Sequence, residues 1–146
     1  LWTWGLGTSG QLGDNTVVTK SSPVQVGFSS WSVVYAGNSV TAAIRTDGGL
    51  FTWGNNASGQ LGDNTAVSKS SPIQISASYS TPSISSISTG VSHTTLIGDY
   101  TLFAWGLNTY GQVSINNTTN QSQPVVFDTN SWISVTAGQN YTLGLR

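Results

Sequence analysis

Cysteine and methionine are absent from this 146-residue chain, and so is glutamate. Without cysteine there is no disulfide framework and no thiolate metal site, and the redox compartment stays undetermined. Lysine and arginine number 4 against 5 aspartates, so charged residues make up 6% of the chain and the formal net charge is −1. So few cations cannot neutralise a row of phosphates, which disfavours nucleic acid and anionic membrane surfaces as partners. Long apolar runs are missing too: Ser, Thr, Asn and Gly interrupt every stretch before it could cross a bilayer, so membrane insertion is not expected. The chain opens at Leu1 inside an aromatic run, with neither an initiator methionine nor a signal-like segment, and reads as a processed product or a part of something longer.

What the chain does have is aromatic residues, 10% of the total and six of them tryptophan. A solvated coil has no use for so many rings, and the length suits one packed domain. The composition belongs to a folded β protein with an uncharged polar surface.

Repetition is the dominant signal. "SGQLGDNT" at 9–16 returns letter for letter at 58–65. Three copies begin on an aromatic-Trp-Gly step: "LWTWGLGTSGQLGDNT" from Leu1, "LFTWGNNASGQLGDNT" from Leu50 and "LFAWGLNTYGQVSINNTT" from Leu102, spaced by 49 and 52 residues. Downstream, "SSPVQV" (21–26) matches "SSPIQI" (70–75) and, more loosely, "SQPVVF" (122–127). Trp31, Ile84 and Trp132 each precede a glycine by six residues. Short alternating or continuous apolar runs, rich in β-branched residues and punctuated by Gly, Pro, Asn and Asp, predict four strands per unit, near 1–4, 23–27, 31–36 and 40–46 in the first. Four strands in about 50 residues is the size of a β-propeller blade. The expected fold is all-β: three four-stranded antiparallel blades at 1–49, 50–101 and 102–146, together forming one propeller segment.

The repeated letters have mechanical roles. Asp47 and Gly48 in "TDGG" suit a type I′ hairpin turn into the second copy. Gly5, Gly54 and Gly106 follow Trp4, Trp53 and Trp105, where the backbone must bend beside a large ring packed between blades. Gly10 and Gly13, like Gly59 and Gly62, shape loops whose Leu12 and Leu61 plug inward, with Gln11 and Gln60 beside them.

These motifs resemble the regulator of chromosome condensation repeat. Its pattern is met by Trp53, Gly54, Asn56, Gly59, Gln60, Leu61 and Gly62, and by Trp4, Gly5, Gly10, Gln11, Leu12 and Gly13. The third copy keeps Trp105, Gly106, Gly111 and Gln112 but departs at Val113, Ser114 and Ile115. The resemblance covers essentially the whole chain and implies a propeller fold. Family rings hold more blades than three repeats supply. The last strand "YTLGLR" lacks the hairpin partner that "LWTWG" would provide, so the edges near Leu1 and Arg146 are complementary, to be covered by further blades of the same polypeptide or by self-assembly. Repeats of this kind occur in bacterial surface proteins and phage structural proteins, and in the family the fold also serves nucleotide exchange on the Ran GTPase.

Chemistry is thinly supplied. One histidine, His93, and five scattered aspartates offer no nucleophile elbow, and the family's histidine position holds Val40 and Tyr141 in the other copies, which speaks for packing. "GDNT" brings one carboxylate per copy, better explained as an Asx-turn than as a calcium site. The expected function is therefore non-enzymatic, without metal or cofactor: a structural or protein-interaction scaffold on a virion or cell exterior. A carbohydrate-binding adhesion module, using Tyr35, Tyr79, Tyr110 or Tyr141 against sugar faces, is the alternative, and a GTPase regulator the third reading. Lys20 and Lys69 read as solvated loop charges. Asn56, Asn116, Asn117, Asn120 and Asn140 begin glycosylation triplets. The longer 76–85 segment, with Tyr79 and Pro82, is the candidate docking loop.

Overall fold

A computed structural model describes residues 1–27, 29–75, 83–113, 115–128 and 131–146. Twelve strands form among them: β1 (Trp2–Gly5), β2 (Lys20–Gln25), β3 (Trp31–Ala36), β4 (Val40–Arg45), β5 (Leu50–Gly54), β6 (Lys69–Gln74), β7 (Ile84–Thr89), β8 (His93–Gly98), β9 (Thr101–Gly106), β10 (Gln121–Asp128), β11 (Ser134–Ala137) and β12 (Thr142–Leu145). The described residues contain no helix. The proline-bearing strand starts earlier than the sequence suggests, at Lys20 rather than Pro23, and is an outermost strand in β2, β6 and β10 alike. A proline lacks the N–H that an interior ladder needs, so Pro23, Pro72 and Pro124 are tolerated on an edge.

The strands form two complete four-stranded antiparallel sheets, ordered β3-β4-β5-β6 and β7-β8-β9-β10, flanked by the pairs β1-β2 and β11-β12. This is the all-β architecture of propeller blades. The sheets are phased half a repeat from the sequence units: each complete sheet joins the last two strands of one repeat to the first two of the next. Three repeats therefore make two whole blades and two halves, not three whole blades. Tight turns impose that phase, because β4 and β8 run directly into β5 and β9.

The turn from β4 to β5 differs from the expected type I′. Gly48 N–H bonds Arg45 carbonyl at 2.9 Å and Gly48 alone is left-handed (φ +87°), so three residues close the hairpin. Asp47 instead accepts from Gly49 N–H and pairs with Arg45, whose guanidinium holds the exposed carboxyl down at about 2. The two-residue left-handed turn appears in the next repeat, at Asp99 (φ +47°) and Tyr100 (φ +62°).

The principal core joins the two complete sheets through Ala42, Leu50, Ile75, Ile87, Leu96, Phe103 and Trp105. Burying each large side chain stabilises by ~1.5–3 kcal/mol. A second cluster, Ile97, Leu102 and Val135 with Trp132 against it, seats the β11-β12 pair on the sheet before it.

Candidate interaction site: the repeat loops and the open edges

Each Gly-Gln loop between the first two strands of a repeat grips the sheet that follows it. The carbonyl of Gln11 accepts from Thr41 Oγ1 at 2.8 Å and from Trp53 Nε1 at 3.0 Å. The carbonyl of Gln60 accepts from Thr94 Oγ1 at 2.9 Å and Trp105 Nε1 at 3.0 Å. Trp53 and Trp105 are wholly buried, and each indole lies against the next glycine of the loop: a Cβ on Gly13 would stand 2.6 Å from Trp53 Nε1, and one on Gly62 2.8 Å from Trp105 Nε1. With φ near +80° as well, these positions admit little but glycine. Leu12, Leu61 and, in the third loop, Val113 are buried beneath the loops.

Trp4 departs from the expectation that each repeat tryptophan packs between blades. It is 62% exposed, because β1 has β2 on one side and no strand of this chain on the other. In the third repeat, Gln112 carbonyl accepts from Thr142 Oγ1 at 2.8 Å, the same threonine position as before. Gly5, Gly54 and Gly106 share a left-handed bend of φ +104° to +110° after their tryptophans.

Two buried asparagines hold the loops from inside. Asn56 Oδ1 accepts Leu61 N–H at 2.9 Å, while Nδ2 lies within 3.2 Å of Asp63 Oδ1, Thr65 O and Oγ1 and Val67 O. Asn108 repeats this, with Oδ1 accepting Val113 N–H at 2.8 Å and Nδ2 donating to Asn117 O and Thr119 O. Val113 thus sits on the same scaffold despite the third copy's changed letters. Asn56 was read mainly as a motif letter and a glycosylation triplet; its complete burial excludes it as a glycan acceptor in the folded chain. Gly7, at the corresponding place in the first copy, lacks this anchor.

Asp14 and Asp63 make Asx-turns to Thr16 and Thr65, at 3.1 and 3.0 Å. Their carboxyls lie below the usual range: burial pushes them up, but the threonine hydroxyls, amides and nearby lysines outweigh it. Lys20 and Lys69 are not merely solvated; they pair with these carboxylates at 3.3 and 3.5 Å. Successive loops are also stitched together, Asn15 N–H to Ser70 carbonyl (2.8 Å) and Asn64 N–H to Ser122 carbonyl (2.7 Å). Asn15 and Asn64 are left-handed, which asparagine tolerates better than most residues.

His93 is buried, with Nε2 3.1 Å from Thr142 Oγ1 and Nδ1 without a hydrogen-bond partner; burial lowers its pKa. Since Thr142 Oγ1 donates to Gln112, it accepts from the Nε2–H tautomer. Tyr110 is 71% exposed and Tyr141 is also exposed, whereas Tyr35 packs against the core. Tyr79 and Pro82, the candidate docking loop, lie outside the described residues. Among the described residues no three His, Asp, Cys or Glu side chains gather as a metal site.

Comparison with known proteins agrees with this geometry. A family profile described as "Regulator of chromosome condensation (RCC1) repeat" matches residues 1–44, 47–97 and 101–145, and a second profile of the same repeat matches 32–60. The ultraviolet-B receptor UVR8 of Arabidopsis thaliana is 29% identical over 152 residues, covering 99% of this chain and 34% of the receptor. Yeast RCC1 (Prp20), solved bound to Kap60, superposes with a TM-score of 0.84 at 20% identity over 99% of this chain and 37% of its own. Human WBSCR16 gives 0.81 at 20% identity, over 94% and 38%. The chain thus spans a little over a third of the length of these proteins. With the repeat profile matching three times along almost its whole length, the chain belongs to the regulator of chromosome condensation (RCC1) repeat family.

Proposed function

We propose that this chain is a non-catalytic protein-interaction scaffold, displayed on a virion or cell exterior. One observation carries the reading: the repeat loops are rigidly held from within, so their outward side chains form a fixed surface. Asn56, Asn108 and the Gln11 and Gln60 carbonyls spend their hydrogen bonds on structure, while Val17, Val67 and Tyr110 point to solvent on equivalent loops. Preorganised aromatic and aliphatic groups bind with little ordering cost. A yeast relative has been crystallised with Kap60 and studied for binding to Gsp1p and histones, which favours protein as the partner class. The low-charge, Ser/Thr/Asn-rich surface supports the exterior setting.

Affinity capture on the immobilised chain tests this. A protein held by the wild type and released by the Val17→Ser, Val67→Ser, Tyr110→Ser variant is the expected result; equal capture by both would overturn the role of the loops. Exposed Tyr110 also favours a second reading, glycan binding, which predicts glycan-array signals lost in Tyr110→Ala. Faster nucleotide release from a Ran-type GTPase would move the function to exchange.

A further inference from the structure

Both open edges repeat the chemistry of the interior blade, each lacking the half that the other presents. In the two complete sheets the central pairing has one register: Val40↔Gly54, Thr41↔Trp53, Ala42↔Thr52 between β4 and β5, and His93↔Gly106, Thr94↔Trp105, Thr95↔Ala104 between β8 and β9. The threonine and tryptophan of each pair donate to one glutamine carbonyl, on Gln11 and then on Gln60. At the C-terminal edge Gln112 carbonyl has the threonine, Thr142, but no tryptophan of this chain. At the N-terminal edge Trp4 has its indole exposed, and its Nε1 has no acceptor among the described residues.

We propose that β1 of one copy pairs with β12 of a second copy, completing a four-stranded sheet β11-β12-β1-β2 across the junction. The interior register assigns the partners: Tyr141 opposite Gly5, Thr142 opposite Trp4, Leu143 opposite Thr3 and Leu145 opposite Leu1 of the second copy. Trp4 Nε1 then donates to Gln112 carbonyl. Leu6 N–H reaches the carbonyl of Asn140, as Asn55 N–H reaches Ser39 and Leu107 N–H reaches Ser92, both at 2.8 Å. Asn116 N–H faces Ser21 carbonyl, continuing the stitching of Asn15 to Ser70 and Asn64 to Ser122.

The space for this strand is already shaped. A groove of about 400 Å³ lies between β1 and β3, walled by Trp2, Trp4, Leu12, Val34 and Tyr35. Its interior counterpart, between β5 and β7, holds β4, with Ala42 packed in the same cluster as Ile87. Leu143 of the second copy takes the place of Ala42 there, against Val34. The occupant is a second copy because the missing donor and the missing acceptor are carried on opposite edges of the same chain. Such a head-to-tail contact closes into a ring or extends as an array, and it leaves the loop surface proposed above free.

The test is the mass in solution of the 146-residue chain and two edge variants, by light scattering across a concentration series with circular dichroism as the folding control. Wild type is expected at multiples of 15.3 kDa. Trp4→Ala and Leu143→Lys alter exposed side chains and are each expected to lose the assembly while keeping the β spectrum. Mixed together they are expected to form a one-to-one pair, since each retains the edge the other lacks. A monomeric wild type would overturn the proposal, as would variants that assemble undiminished or a mixture that stays monomeric.

Discussion

Replacing Asn56 by alanine removes the internal post of the second loop. The Leu61 N–H that it satisfies is buried, and with no acceptor it costs ~1–3 kcal/mol. The void left by the amide adds about 1 kcal/mol. The carbonyl of exposed Val67 can turn to water, and Asp63 keeps Thr65 and Lys69, so those groups add little. The sum is a loss of ~2–4 kcal/mol, read in a urea titration followed by tryptophan fluorescence with the slope unchanged. Asn56→Asp is the sharper probe. It can still accept from Leu61, but its second oxygen would face Asp63 Oδ1, 2.9 Å from the present Nδ2, together with two carbonyls. That raises the new carboxyl's folded-state pKa, so the variant is expected to be less stable than Asn56→Ala at neutral pH. It regains ground on that variant as the pH falls below the raised value, because a protonated oxygen donates again. A loss below about 1 kcal/mol for Asn56→Ala, or an Asn56→Asp variant as stable as wild type at pH 7, would refute the reasoning.

Gly62→Ala is expected to destabilise by at least ~2 kcal/mol in the same titration, since its Cβ meets the Trp105 indole at a left-handed backbone. Gly7→Asn, although it restores the repeat pattern, is expected to lower the melting temperature: a Cβ there stands 2.4 Å from Val18 carbonyl. His93 titrates below its ordinary 6.5 because it is buried. Its contribution is whole above 6.5 and is lost as acid protonates the unfolded chain first, so stability falls between about pH 6.5 and the lower folded value, and a His93→Gln variant flattens that part of the profile.

The repeat period, the strand-forming runs and the glycine and tryptophan spacing were legible in the sequence because they are local: a strand needs only its own alternation, and a copied octet announces a copied unit. The roles of Trp53 and Gly13 were half legible. That a large ring needs a neighbouring glycine is a matter of size, but that Trp53 rests on Gly13, forty residues earlier, is set by how sheets stack. Asn56 looked like a surface triplet, for its letters do not reveal that four backbone and side-chain groups converge on its amide. The phase of the blades escaped as well. Sequence similarity marks where a unit recurs, whereas hydrogen bonding decides where a sheet is cut, and tight turns join β4 to β5 and β8 to β9 across the repeat boundary. The sequence by itself determined a family of small β units and the residues that shape them. Only tertiary structure decided which tryptophans are buried and which one is left exposed, because burial depends on the neighbouring strand and not on the letters of the repeat.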